Sequence, residues 1–150
     1  MKLAVIISIG VFVLIQLIPI NRDNPITDPD AEIKLQGEIS LIIQTACYDC
    51  HSNNTQCPWY SYVAPVSWLV ASDVHDGREE INFSQWNTYS AKRIGRKLQE
   101  IVDEVKEEEM PLPLYLITHS EADLDEAQRT VLINWAKTYL ENPPVDSLSN

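Results

Sequence analysis

The sequence predicts an all-helical domain, and two patterns lead to that prediction. No stretch of the chain alternates apolar and polar residues convincingly enough to predict a strand. Over residues 90–109, by contrast, apolar side chains recur at alternating spacings of three and four, which is typical of a helix with one buried face. These side chains are Ala91, Ile94, Leu98, Ile101 and Val105.

The chain begins with an apolar segment, residues 3–20, that predicts a transmembrane helix. Its 18 residues, LAVIISIGVFVLIQLIPI, would extend about 27 Å as a helix, close to the thickness of one hydrocarbon core. The alternative is a cleaved signal peptide, but no small-residue cleavage site and no cysteine suited to lipid attachment follow the segment. We therefore expect residues 1–20 to form an uncleaved, single-pass anchor.

A linker, one domain and a tail follow the predicted anchor. Residues 21–29, NRDNPITDP, contain two prolines and no apolar period, so we expect an extended linker. Residues 30–142 form one small domain of about 110 residues. Residues 143–150 contain few apolar side chains, and we expect a flexible tail.

Three more helices are predicted in the domain. The first covers about residues 31–46 and contains Gly37, which is either a site of close approach for another helix or a tolerated surface glycine. Another follows Pro65, a residue that suits the first turn of a helix. The last begins near Asp125, an N-cap residue, with Gln128 three positions later in the manner of a capping box.

The most informative stretch is CYDCH, residues 47–51, a C-x-x-C-H motif at the spacing used for covalent attachment of a c-type haem. The thiols of Cys47 and Cys50 can each add to one vinyl group of a haem, and the imidazole of His51 can then bind the iron. By chance, the pattern arises in on the order of one in a thousand chains of this composition. We predict one covalently bound haem c.

The same motif has three other interpretations: a zinc site, a thioredoxin-like dithiol and a structural disulfide. A zinc site needs a second pair of ligands at suitable spacing, and the chain offers only Cys57, His75 and His119, which are scattered. A thioredoxin-like dithiol follows a strand in a βαβ unit, whereas the residues before Cys47 predict a helix. Covalent haem is therefore the interpretation that the sequence favours.

Haem attachment also predicts a compartment. The reaction needs reduced thiols and haem on the outer side of a bacterial inner membrane, so we expect the domain to face the periplasm. The apolar N-terminal segment agrees with an inner-membrane location. The flanking charges, Lys2 on one side and Arg22 with Asp23 on the other, favour a cytoplasmic N-terminus only weakly.

The sixth ligand of the iron separates two functions. Protein ligands on both sides of the haem make an electron carrier, whereas an open side makes a sensor or a small-ligand binder. Met110 is a candidate because it is the one methionine besides the initiator and because Pro111 and Pro113 hold the following backbone extended. His75 and His119 are its rivals, and Met110 could instead fill a gap in the core.

Five stretches of the chain match a known pattern in order. They are CYDCHSN at 47–53, PWYSYVAPVSWL at 58–69, GREEINFSQW at 77–86, EEMPLPLY at 108–115 and INWA at 133–136. Together they resemble the haem-binding domain family of small membrane-anchored monohaem c-type cytochromes. The resemblance implies a cytochrome c-like helical fold around one haem, attachment through Cys47 and Cys50, and an electron-transfer role. It also favours Met110 as the ligand opposite His51.

Two expectations about packing accompany the resemblance. As in ordinary cytochromes c, the first and last helices of the domain should cross, with Trp135 lying against the first helix near Gly37. Cys57 departs from the pattern, because an aromatic or other bulky residue is expected before Pro-Trp-Tyr. We expect this third thiol to be a small buried apolar group without a mate.

The charge balance is acidic, with 22 Asp and Glu against 11 Lys and Arg and a net charge of −11. This balance argues against nucleic acid as a partner. The acidic run at residues 107–109 is either a solvated face or a patch for a redox partner protein with a basic docking surface. No distal acid–base pair is evident, so we predict an electron carrier rather than an enzyme.

Overall fold

The computed structural model describes residues 1–142 and is all-helical in that part, which confirms the all-helical part of the predicted fold class. Seven α-helices occur there: α1 (Lys2–Ile15), α2 (Glu38–Ala46), α3 (Tyr48–His51), α4 (Val66–Glu80), α5 (Ala91–Lys106), α6 (Pro113–Leu116) and α7 (Glu126–Glu141). Three 3₁₀ turns connect them, at Trp59–Tyr62, Phe83–Thr88 and Ser120–Ala122. The predicted tail, residues 143–150, lies outside the described residues.

The N-terminal helix is shorter than the sequence predicts. A membrane span over residues 3–20 is not supported, because α1 ends at Ile15 and no helix within residues 1–142 is long and apolar enough to cross a membrane. One tertiary contact and one local feature coincide with its end. The side chain of Gln16 accepts a hydrogen bond from the Ala64 N–H (2.9 Å) and donates one to the Ala64 carbonyl (3.1 Å), and Pro19 disfavours helical backbone at Ile18. All side chains of residues 2–14 are exposed.

The first helix of the domain also begins later than predicted. Residues 31–37 are not helical, and the N–H of Ile33 donates instead to the Phe83 carbonyl at 3.0 Å. Gly37 is the N-cap of α2, with φ +69° and ψ −149°, a conformation essentially restricted to glycine. A Cβ built on Gly37 would have no atom within 4 Å, so this glycine is not a site of close helix approach.

The two longest helices of the domain follow the sequence predictions closely. The α5 helix begins at the N-cap Ser90 and buries one face, although it ends at Lys106, three residues before the predicted end. Glu108, with φ +59°, is incompatible with a continuing helix. The α7 helix begins at Asp125 with the predicted capping box, in which the carboxylate accepts from the Gln128 N–H at 2.8 Å. The two helices pack along each other.

The core is built around Trp86, whose side chain is fully buried. Its ring stacks on Phe83 and meets Tyr139, and its indole N–H donates to the Tyr139 hydroxyl at 3.1 Å. Trp135 packs against Trp86 and Tyr139 rather than against Gly37, so the predicted contact between Trp135 and Gly37 is wrong. Helix α2 nevertheless packs on α7 as expected. A cavity lies between α3, α4 and α5, and core residues such as Phe83 and Val105 form part of its wall.

Candidate haem site

The C-x-x-C-H motif forms the short helix α3 at the wall of a cavity of about 490 Å³, a size typical of cofactor sites. The N–H groups of Cys50 and His51 donate to the Cys47 carbonyl at 3.3 and 2.9 Å, which turns the motif back on itself. Both cysteines and the histidine therefore line the same cavity. Most of the remaining wall is apolar: Ala46, Ile81, Phe83, Ile101, Val105, Pro111, Leu112 and Leu124.

His51 is held by two carbonyls of α4 and the residue that follows it. Its Nδ1 lies 2.8 Å from the Gly77 oxygen and 3.2 Å from the Ile81 oxygen, so Nδ1 carries the proton and donates it. Burial lowers the pKa of the imidazole, an effect that these carbonyls partly oppose. The neutral ring thus has its lone pair on Nε2, which is the form that binds iron.

Gly77 is a site residue that the sequence analysis missed. A Cβ at this position would lie 2.7 Å from the Cys50 carbonyl oxygen and 3.0 Å from the Cys50 Cβ. Only glycine therefore lets α4 approach the motif closely enough for its backbone to reach His51. The sequence placed Gly77 at the end of the helix that follows Pro65, so no signal marked it; in the structure it lies inside α4, where a glycine costs stability.

The two motif thiols are strongly protonated. Burial, reinforced by the charge of Cys50, raises the pKa of Cys47 to about 12. Burial together with the charges of Asp49 and Asp73 raises the pKa of Cys50 to about 11. Both side chains are free thiols, as is Cys57, which is half-buried and lines a second cavity away from the motif.

Of the three candidate sixth ligands, only Met110 lines the cavity that contains His51. It is half-buried and follows α5, and its N–H donates to the Glu104 carbonyl at 3.3 Å. His75 is exposed on α4, 3.5 Å from the Glu79 carboxylate, and faces the second cavity. His119 stacks on the ring of Tyr115, with 4.0 Å between ring centroids.

Tyr115 connects the segment that carries Met110 to the haem motif. Its hydroxyl donates to Asp49 Oδ2 at 2.9 Å, while Asp49 Oδ1 accepts from the Gln56 N–H at 2.9 Å. Burial and the neighbouring Asp49 charge raise the pKa of Tyr115, so the phenol stays a donor. Nothing in the sequence pairs these two residues, which lie 66 positions apart.

The segment after the motif is fixed by Arg78 and Asn82. The Arg78 guanidinium donates to the Ser52 carbonyl at 2.8 Å and to Thr55 Oγ1 at 2.9 Å. The Asn82 amide donates to Asn53 Oδ1 at 2.8 Å in a fully buried contact. Arg78 follows Gly77 and Asn82 follows Ile81, the two residues whose carbonyls hold His51. Hydrogen bonds therefore join α4 both to the motif and to the segment after it.

Charged groups occupy part of the cavity wall. Six carboxylates line it, at Asp49, Asp73, Asp76, Glu80, Glu100 and Glu104. Lys97 contributes a positive charge to the same wall; it is 5% exposed and donates to Glu80 and Glu100. Within residues 1–142 no group of three or more His, Cys, Asp or Glu side chains is arranged to hold a metal ion, so the zinc interpretation gains no support.

An apolar cavity whose wall presents two free thiols, a neutral imidazole and a thioether has the chemistry that a haem requires, and the residues fit that group. The fold and the site thus define a haem-binding protein. The haem-binding domain family matches residues 10–138, and the chain belongs to that family. No curated protein and no solved structure matches the chain significantly.

Proposed function

We propose that the protein is a monohaem c-type cytochrome that carries single electrons, with His51 and Met110 as axial ligands. The observation that supports this function most strongly is the presence of Cys47, Cys50, His51 and Met110 on one largely apolar cavity. Bound haem iron supplies the chemistry by cycling between two oxidation states. Protein ligands on both sides would leave no site for a gas or peroxide.

The polypeptide contributes attachment, orientation and exclusion of water. Each thiol would hold the haem by adding across a vinyl double bond: a carbon–sulfur bond would form, the thiol hydrogen would go to the other vinyl carbon, and no oxidant would be needed. The carbonyls of Gly77 and Ile81 then fix the His51 ring by holding its Nδ1 proton. The apolar part of the wall would keep water from a bound haem and so would help to set its potential.

We further infer that the domain works at the outer face of the inner membrane, with α1 embedded in lipid. The support is that residues 2–14 are uncharged beyond Lys2 and expose apolar side chains throughout, which is unfavourable in water. The hydrogen bonds between Gln16 and Ala64 and between Arg22 and Ser61 connect this helix to the domain. Deletion of residues 1–20 should release the haem domain from the membrane fraction, and release of the full-length chain by salt alone would contradict lipid embedding.

The carboxylates around the cavity support a redox partner with a basic docking surface. Such a surface would be steered towards the haem edge, and steering of this kind raises association rates at low ionic strength. Electron exchange with a basic partner should therefore slow as salt increases, and a rate independent of salt would argue for an uncharged interface.

The test of axial ligation is the optical spectrum of the oxidised holoprotein. A weak band at the near-infrared edge, from charge transfer between sulfur and ferric iron, should be present and should disappear in Met110→Ala together with a fall in the reduction potential. His119→Ala is the matched control and should keep the band. A band that is absent from the parent, or that survives Met110→Ala, would exclude Met110 and restore the sensor with an open distal site as the function.

A further inference from the structure

Lys97 is a buried cation in the wall of the haem cavity. Only 6% of its side chain is exposed, although it lies on α5 between turns that present polar residues to solvent. Its ammonium donates to Glu80 Oε2 at 2.5 Å and to Glu100 Oε2 at 2.6 Å. Burial of a lysine is unfavourable unless anions accept its protons, so this position has a role that an exposed lysine would not need.

The two partners of Lys97 are much less buried than Lys97 itself. The side chains of Glu80 and Glu100 are 73% and 44% exposed. Each carboxylate can therefore move into water at little cost, whereas the Lys97 side chain is almost fully enclosed in the cavity wall. An ammonium group has three donors, and the two glutamates use two of them.

Haem brings two propionate groups into a cavity that is already lined by six carboxylates. An anion placed in such a wall needs a cation or several hydrogen-bond donors beside it. Within residues 1–142, Lys97 is the one lysine or arginine that lines this cavity. His51 cannot serve, because its Nδ1 proton is held by the carbonyls of Gly77 and Ile81.

We propose that the Lys97 ammonium binds a haem propionate. It would use the N–H group that neither glutamate accepts, or an N–H group that becomes free when Glu80 or Glu100 moves into solvent. The proposal rests on haem occupying this cavity, as the proposed function does, but it does not depend on Met110 being a ligand. In this arrangement Lys97 would orient the haem about its attachment points and would place a positive charge beside a propionate. Glu80 and Glu100 keep the ammonium charged and positioned when the cavity holds no cofactor.

The test compares holoproteins carrying Lys97→Met, Lys97→Arg and, as a control, Lys92→Met, which removes an exposed charge from the same helix. Resonance Raman spectra report the propionate bending mode, and equilibrium titration reports the reduction potential. We expect Lys97→Met to move the propionate band to lower frequency and to lower the potential. Lys97→Arg should shift the band while keeping most of the potential, and Lys92→Met should change neither.

Two results would overturn the proposal. The first is a propionate band that is the same in the parent, in Lys97→Met and in Lys97→Arg, which would leave Lys97 as a partner of Glu80 and Glu100 alone. The second is an equal change in the reduction potential for Lys97→Met and Lys92→Met. This result would show that the potential responds to the net charge of the protein and not to Lys97 in particular. If Lys97→Met does not fold, the test uses Lys97→Arg alone: a shifted propionate band supports the proposal, and an unchanged band overturns it. The near-infrared band of Met110 ligation, read on the same samples, reports separately on the proposed axial ligands.

Discussion

Gly77 lies against Cys50 so closely that a single added carbon would overlap the Cys50 carbonyl oxygen, at 2.7 Å. The same glycine offers its own carbonyl to His51 Nδ1 at 2.8 Å. One residue of α4 therefore permits the contact with the haem motif and orients the histidine of that motif. The orientation of His51, the proposed iron ligand, therefore depends on the lack of a side chain at Gly77, which lies 26 positions further along the chain.

Gly77→Ala should therefore displace α4 from the motif and destabilise the protein by about 1–3 kcal/mol, as overpacking of a tight contact does. The measurement is urea unfolding of the holoprotein, with the haem absorption spectrum as a second readout of His51 orientation. Gly95→Ala is the matched control in α5, because its Cβ would meet only Leu140 Cδ2 at an ordinary 3.7 Å. That variant should be unchanged or more stable by roughly 0.5–1 kcal/mol, and equal losses at the two glycines would contradict the close approach at Gly77.

Gly37 matters for its backbone rather than for the space around it. At φ +69° and ψ −149° it begins α2 in a conformation that a side chain disfavours, so Gly37→Ala should destabilise the protein by about 1–3 kcal/mol. Because no atom lies within 4 Å of the added carbon, Gly37→Leu should cost little more than Gly37→Ala. Thermal unfolding of the two variants checks this. A loss that grows strongly with side-chain size would show crowding at Gly37 instead.

Tyr115→Phe removes one hydroxyl and keeps the ring that stacks on His119. The hydrogen bond to Asp49 should be lost, with a decrease of about 1.5–3 kcal/mol in the free energy of unfolding because the acceptor is charged. The segment that carries Met110 should also become less firmly attached to the motif, so the proposed sulfur-to-iron band should weaken. Tyr60→Phe, which loses contacts with Thr118 Oγ1 at 3.0 Å and His119 Nδ1 at 3.4 Å but no contact with the motif, is the control. If both variants lose the same stability and keep the band, the Tyr115–Asp49 bond does not position Met110.

The sequence predicted what depends on local pattern. The period of three and four along α5 and the capping box of α7 both act within a few residues, and both were found where expected. Residues 31–37 were predicted as helix because their apolar spacing resembles one, but the Ile33 N–H pairs with Phe83, which lies 50 positions away. A contact of that range overrides local propensity and leaves no periodic signal.

The same distinction applies to the site. Cys47, Cys50 and His51 were predicted as the attachment site because the chemistry of attachment requires a fixed local spacing. Met110 was predicted as the sixth ligand from its residue type, the prolines that follow it and the family resemblance, and all four residues line one cavity. Tyr115 was missed because its partner Asp49 lies 66 positions away. Lys97 was missed because its burial in the cavity wall is a tertiary feature, although Glu100, one of its two partners, lies only three positions away. The N-terminal segment was predicted as a longer helix because the pairing of Gln16 with Ala64 is a tertiary contact.

Covalent attachment of one haem through the two motif cysteines is tested most directly by the mass of the denatured holoprotein. After extraction with acidic acetone, the parent chain should retain the mass of one haem, and Cys57→Ala, the control for the third thiol, should retain it as well. Cys47→Ala combined with Cys50→Ala should lose the haem completely. A parent chain without added haem mass, or a double variant that still carries it, would contradict attachment at Cys47 and Cys50.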